Sequence, residues 1–159
     1  MKKISLVTAI VIVIIDQISK YAAVKYLSHI KLEVTSFFNL ALVYNKGISF
    51  GLFNNLPYSN YVFLGVSSLI VGYLIKWIRI SKYTSEIMGL ALIIGGAIGN
   101  IIDRFIYPGV VDFLEFHWHE YYWPSFNIAD ASICIGVILL LLFNICYTRA
   151  KNKREECLD

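Results

Sequence analysis

Asp112 and Asp130 stand in short polar breaks, Val110-Val111-Asp112-Phe113 and Phe126-Asn127-Ile128-Ala129-Asp130, within a chain that is otherwise mostly apolar. Two carboxylates brought to one site oppose each other's ionisation, so the pair holds a single proton near neutrality. One can then activate water while the other protonates a carbonyl oxygen, which splits a peptide bond without a covalent intermediate. Two further breaks accompany them, Asp16-Gln17-Ile18-Ser19-Lys20 and Gly99-Asn100-Ile101-Ile102-Asp103-Arg104. With Asn45 and Asn127, these supply acids, amides and cations that the spacing places at a similar depth. Ionisable groups in such surroundings are expensive unless they face a protein interior or a wet cavity, so the set marks a functional site.

The elements that must hold these residues are membrane helices. At 159 residues, 58% hydrophobic and with a mean hydropathy of +0.65, the chain is too apolar for a water-soluble domain and fits one membrane domain over residues 1–159. A span needs about 20 apolar residues, and four stretches qualify, about 4–25, 58–78, 86–105 and 128–147. The spacing therefore predicts an all-α membrane protein, a four-transmembrane-helix bundle. Lys2, Lys3, Lys76, Arg79, Lys82, Arg149, Lys151, Lys153 and Arg154, nine of the fourteen Lys and Arg residues, fall on one side. Short basic segments stay in the cytoplasm, so N and C termini are expected there, with connections 26–57 and 106–127 outside. The net charge of +3 follows from this asymmetry and implies no nucleic-acid partner. Lys2-Lys3 before the run Ile4–Ile15 also resembles the start of a cleavable signal peptide, but no small-x-small site follows. Cys134 and Cys146 lie in the fourth apolar run and Cys157 in the basic tail, an arrangement that suits neither a disulfide framework nor a metal cage.

Within the first span, Asp16 lies about 20 Å of helix beyond Lys3, in the outer half of the bilayer. Lys20 follows at i,i+4 on the same face, either as a staple of the bundle or as part of a site. Residues 32–53 are broken by Glu33, Asn39, Asn45 and Lys46 and approach period-two alternation, which predicts a small extracellular β-structure. Gly47 and Gly51 flank Ile48-Ser49-Phe50 and would let the backbone turn or approach a ligand. Phe37, Phe38, Tyr44, Phe50 and Phe53 suit an interfacial anchor. In the third span, Gly95, Gly99 and Asp103 share one face, and Gly96, Asn100 and Arg104 the adjoining one. Close helix approach explains the glycines, whereas Asn100, Asp103 and Arg104 are placed to form a hydrogen-bonded mesh. Asp130 falls in the first turn of the fourth helix, with Ser125 or Asn127 as its cap.

Rival chemistries are weaker. The three histidines, at 29, 117 and 119, do not accompany a serine or cysteine in a nucleophile motif. Glu115, His117 and His119 on an extended strand would share a side and could form a zinc set, although Trp118, Tyr121, Tyr122 and Trp123 around them also suit an interfacial belt. A small proton- or ion-coupled carrier is the alternative from another class, since intramembrane Asp, Lys and Arg also mark ion paths. No internal repeat joins spans 1–2 to 3–4, and a site confined to the outer side lacks a route inward. A purely structural adaptor would tolerate loss of Asp112 and Asp130 separately, which a dyad would not.

The four breaks, together with Asn45-Lys46-Gly47-Ile48-Ser49-Phe50 and Gly95-Gly96-Ala97-Ile98, appear in an order that resembles the bacterial lipoprotein signal peptidases, or signal peptidase II, over nearly the whole chain. Members of that family are four-helix membrane aspartic peptidases. The resemblance implies cleavage of the signal peptide from diacylglyceryl-modified prolipoproteins, just before the lipid-modified cysteine. It assigns the catalytic pair to Asp112 and Asp130. It gives supporting pocket roles to Asp16, Lys20, Asn45, Gly47, Asn100, Asp103, Arg104, Asn127 and Ala129. A small extracytoplasmic β-sheet after helix 1 and a loop closing over the site are also implied, at segments 32–53 and 114–124. The expected protein is a monomer among the lipids of the bacterial cytoplasmic membrane, its site near the outer leaflet, with no metal or other cofactor. That depth suits the substrate, because a lipid-bearing cysteine holds the scissile bond near the membrane surface.

Overall fold

The computed structural model describes residues 3–47 and 58–156, with side chains described through residue 150. The Ile48-Ser49-Phe50 motif, Gly51, Phe53, Lys2, Cys157 and the side chains of Lys151, Lys153 and Arg154 lie outside the described residues. Four helices dominate, α1 (Lys3–Leu27), α2 (Ser59–Ile80), α3 (Thr84–Ile106) and α4 (Ile128–Glu156). Each contains a stretch long and apolar enough to cross a membrane, in α4 as far as Ala150. Their outer faces carry Ile10, Ile14, Leu69, Ile138 and Leu142, each about half exposed or more, a surface that lipid solvates and water does not.

α3 is the central helix: 50% of its most apolar window is buried, against 22% for α1 and 17% for each of α2 and α4. Small residues make this possible. A Cβ on Gly95 would stand 2.9 Å from the Ala9 carbonyl of α1, and one on Gly96 would strike the Ala129 carbonyl of α4. Gly89 and Gly136 meet face to face, a Cβ on Gly136 reaching 2.6 Å from the Gly89 carbonyl. α1 and α4 thus lie against α3 at backbone contact, as the glycine spacing predicts. α2 packs on α3 through larger groups, with Val71, Leu74 and Ile78 closing a buried cluster on Leu90 and Ile94.

A four-stranded antiparallel sheet stands at one end of the bundle, in the order β1 (Leu32–Thr35), β2 (Phe38–Asn45), β3 (Val110–Trp118) and β4 (Tyr121–Tyr122). The sheet expected after the first helix therefore takes half its strands from segment 106–127, expected as an outer loop. The pairing has a physical reason: Val110 and Val111 are β-branched, and the ladder satisfies backbone groups next to an apolar bundle. Register is set by Asn45 opposite Val110, Tyr44 opposite Val111 and Val43 opposite Asp112, with an irregularity between Leu40 and Val43. Phe126, just before α4, joins the far edge: its carbonyl accepts the Leu114 N–H at 2.9 Å and its N–H donates to the Leu114 carbonyl at 3.0 Å.

Among the described residues, this geometry does not gather the three zinc candidates. His119 has φ 52° and lies in the turn after β3, so the strand alternation that would align it with Glu115 and His117 ends before it. Glu115 instead pairs with Lys31 and accepts a bond from Asn39 at 3.1 Å, while His117 stacks on Tyr122. Burial works against the charge of Glu115, but its bonds from Lys31 and Asn39 prevail and hold its carboxyl below the usual value.

The close α3–α4 contact can be tested against a control on the open face of α2. Gly96→Ala is expected to destabilise by about 1–3 kcal/mol, because the Ala129 backbone has to move. Gly65→Ala, whose Cβ meets nothing within 4 Å, is expected to leave the melting temperature in detergent unchanged or raise it slightly.

Candidate active site

Lys20 is a cation buried to 1% exposure inside the bundle. Its ammonium lies 2.8 Å from Asp16 Oδ2 and 2.8 Å from Asp103 Oδ2, and donates to Asn100 Oδ1 at 2.8 Å. All three of its donors are thereby used. The two acids reach outward in turn: Asp16 Oδ1 accepts the Ala129 N–H at 2.8 Å, and Asp103 Oδ2 accepts the Val111 N–H at 3.0 Å. One buried cluster thus ties α1 and α3 to the first turn of α4 and the start of β3. Gln17, beside Asp16 in the first polar break, clamps the same seam. Its Nε2 donates to Asp103 Oδ1 at 2.9 Å and to the Gly99 carbonyl at 3.2 Å, and lies 3.3 Å from Asp16 Oδ2.

The orientation of Asn100 follows from what Lys20 is able to do. An ammonium only donates, so Asn100 must turn Oδ1 toward it, which aims Nδ2 at Asp130 Oδ1, 2.8 Å away. Asn127 serves the other acid, its Nδ2 donating to Asp112 Oδ1 at 2.7 Å. Asn127 also caps α4: its Oδ1 accepts the Asp130 N–H at 2.9 Å, and Asp130 Oδ2 accepts the Asn127 N–H at 3.3 Å. This reciprocal cap resolves the choice between Ser125 and Asn127 in favour of Asn127. From the sheet, Asn45 Nδ2 donates to Asp112 Oδ2 at 3.2 Å, and Asn45 Oδ1 accepts the Gly47 N–H at 3.1 Å. Arg104 donates to the Asn100 carbonyl at 3.1 Å and the Gly47 carbonyl at 3.4 Å, and its buried Nε has no partner among the described residues.

These bonds surround a cleft of about 500 Å³. Of the residues singled out in the sequence, Asn45, Gly47, Asn100, Arg104, Asp112 and Asp130 line it. Asp16, Lys20, Asp103, Asn127 and Ala129 stand behind it and act through the lining residues. Trp123, Pro124, Phe126, Ile133 and Cys134 are among the other wall residues and had no assigned place in the site. Their signal was positional, since they flank the first turn of α4 that carries Asp130. Segment 114–124, implied as a loop closing over the site, is largely strand, and only its end at Trp123 and Pro124 borders the cleft.

Asp112 is 2% exposed, and burial pushes its carboxyl up from 3.8, with the charge of Asp130 adding to the rise. Bonds from Asn45 and Asn127 and the charge of Lys20 oppose the shift, and the result is about 7. Two carboxylates thus line one cleft, and the charge of Asp130 works against ionisation of Asp112.

A family model described as Signal peptidase (SPase) II matches residues 8–146. The chain belongs to the signal peptidase II family. Among its relatives, a lipoprotein signal peptidase of Rickettsia conorii is 45% identical over 136 residues, covering 83% of this chain and 68% of the relative. The lipoprotein signal peptidase of Syntrophotalea carbinolica is 41% identical over 88% of this chain and 89% of its own length. That of Neisseria meningitidis is 39% identical over 93% and 92%. A solved structure described as a bacterial membrane enzyme, determined by the in meso method at 2.3 Å resolution, superposes with a TM-score of 0.80 at 30% identity. It covers 95% of this chain and 93% of that one. As a signal peptidase II, the protein is a peptidase with four helices able to span a membrane.

Two measurements follow from the geometry of the peptidase cleft. The kcat/KM of the parent is expected to fall as pH rises through about 7, where the shared proton leaves the pair. Asn45→Ala removes a bond to the ionised form of Asp112, so its alkaline limb is expected at higher pH. Lys20→Met leaves Asp16 and Asp103 buried without their cation, and is expected to cost about 3–5 kcal/mol of stability, read as loss of folded protein in detergent.

Proposed function

We propose that this signal peptidase II cleaves diacylglyceryl-modified prolipoproteins with Asp112 and Asp130 as an aspartic dyad. The observation that carries the reading is the pair itself: both carboxyls line one cleft, and each is held by the amide of a different asparagine. In the singly protonated state, the ionised carboxylate takes a proton from water as the oxygen attacks the carbonyl preceding the modified cysteine. The protonated carboxyl gives its proton to the carbonyl oxygen. As the tetrahedral diol collapses, one of its hydroxyls returns a proton to the second carboxylate, the first carboxyl protonates the departing cysteine nitrogen, the C–N bond breaks, and the dyad is again singly protonated. Arg104, whose Nε has no partner among the described residues, and Asn45 are suited to hold the substrate backbone in the cleft.

In this reading residues 1–159 act as one unit, a monomer in the bacterial cytoplasmic membrane with both termini in the cytoplasm. The sheet and the dyad then face outward, near the outer leaflet. Support comes from the basic residues, of which Lys76, Arg79, Lys82 and Arg149 all lie at the end of the bundle away from the sheet. A lipid anchor on the cysteine delivers the scissile bond to that depth, and the exposed aliphatic helix faces can receive its acyl chains. The dyad needs neither metal nor nucleotide. The carrier alternative is not favoured, since the chain belongs to a peptidase family.

The test is cleavage of a diacylglyceryl-modified prolipoprotein by the purified protein in EDTA. The parent is expected to cut, and Asp112→Asn and Asp130→Asn to lose about 10²–10⁴-fold in kcat while remaining folded. Retention of full activity by either variant would remove that residue from the dyad, and an EDTA-inactivated parent rescued by zinc would overturn the mechanism.

A further inference from the structure

A second cleft, of about 360 Å³, lies at the opposite end of the bundle from the dyad. It is walled by Trp77 of α2, Glu86 of α3 and Val137, Leu141 and Asn144 of α4. α2 and α4 each pack on α3 with no comparable seam between them, so a groove floored by α3 runs along the bundle. On α4, Asp130, Cys134, Val137, Leu141 and Asn144 recur at alternating intervals of four and three residues, which is one helix face. Asp130 and Cys134 line the dyad cleft, and the other three line the second one. Val137 and Leu141 are 41% and 57% exposed, so the face between the two clefts is open.

Glu86 gives this groove a polarity. Trp77 Nε1 donates to its Oε1 at 2.9 Å and the Ser81 hydroxyl donates to its Oε2. Both donors are neutral, and they fix the carboxylate in the cleft while leaving it room to accept more. Among the described residues no cation pairs with it. The nearby Lys76, Arg79 and Lys82 are exposed, and none lines the cleft.

We propose that the signal-peptide helix of the substrate docks along this α4 face, with its apolar region between α2 and α4 and its basic amino-terminal region on Glu86. The proposal rests on the prolipoprotein reading above and adds the path of the part that is removed. The lengths agree: from Asp130 to Asn144 is about 21 Å of helix, and an apolar signal-peptide region of about 7–15 residues spans about 10–22 Å. The charges agree as well, since a signal peptide begins with Lys or Arg and the far cleft presents a carboxylate that no cation among the described residues pairs with.

The test compares diacylglyceryl-modified prolipoproteins differing only in the amino-terminal region of the signal peptide, basic, glutamine-substituted or glutamate-substituted, with the purified full-length protein. The parent is expected to favour the basic over the neutral substrate by up to about fivefold in kcat/KM, as suits a partly exposed ion pair. Glu86→Gln is expected to abolish the preference and Glu86→Lys to reverse it toward the acidic substrate. Leu141→Trp, which fills the groove without touching Glu86, is expected to raise KM for all three. If the parent cuts all three in an Asp112-dependent way with equal kcat/KM, if Glu86→Gln keeps the preference, or if Leu141→Trp leaves KM unchanged, the docking path is overturned while the cleavage reading stands. If the parent cuts none of them, the cleavage reading falls and the docking path with it.

Discussion

The ammonium of Lys20 can only donate, and it is 1% exposed in the interior of the bundle, so each of its donors needs an acceptor from the protein. Every other feature of the site is arranged around that fact. Asp16 comes from one turn earlier on α1, Asp103 and Asn100 come from α3, and all three must converge for the cation to be tolerated. The convergence fixes the rotation of α1 against α3, which the small residues of α3 then allow at backbone distance. Buried ion pairs of this kind add little net stability, because desolvation consumes most of the attraction. Their contribution here is specificity of arrangement, since a helix turned by one residue would strand a charge.

The same cluster carries order from the bundle to the cleft. Asp16 grips the first turn of α4 through the Ala129 N–H, and Asp103 grips the start of β3 through the Val111 N–H. Asp130 and Asp112 follow each of those points by one residue. The two acids of the cleft, eighteen positions apart in sequence, are thus hung from two acids of one buried network. Asn100 and Asn127 complete the coupling by turning amide donors toward Asp130 and Asp112. Fixed donors of this kind need no reorganisation when charge moves in a reaction.

The arrangement also separates two environments. The helices offer lipid an aliphatic surface, whereas the polar groups lie along the α1–α3–α4 seam and beneath the sheet. Burial alone would keep Asp112 protonated well above its ordinary range, and the amides of Asn45 and Asn127 draw it back to about 7. The sheet therefore helps set the charge of Asp112, because the β2–β3 register brings Asn45 to it.

The family, the four spans and the acids that meet at one cleft were legible in the sequence, because membrane burial is severe enough that every tolerated charge carries information. The glycine spacing on α3 named its packing faces for the same reason: only small residues admit a backbone so close. The sequence did not disclose that the segment between α3 and α4 supplies half of the sheet, since strand pairing joins residues far apart in the chain and leaves only weak local periodicity. Nor did it separate the residues lining the cleft from those behind it, or distinguish Gln17 from an ordinary polar neighbour of Asp16. Those distinctions depend on which way each amide and carboxylate turns, and a side chain turns toward partners that only the folded chain brings within reach.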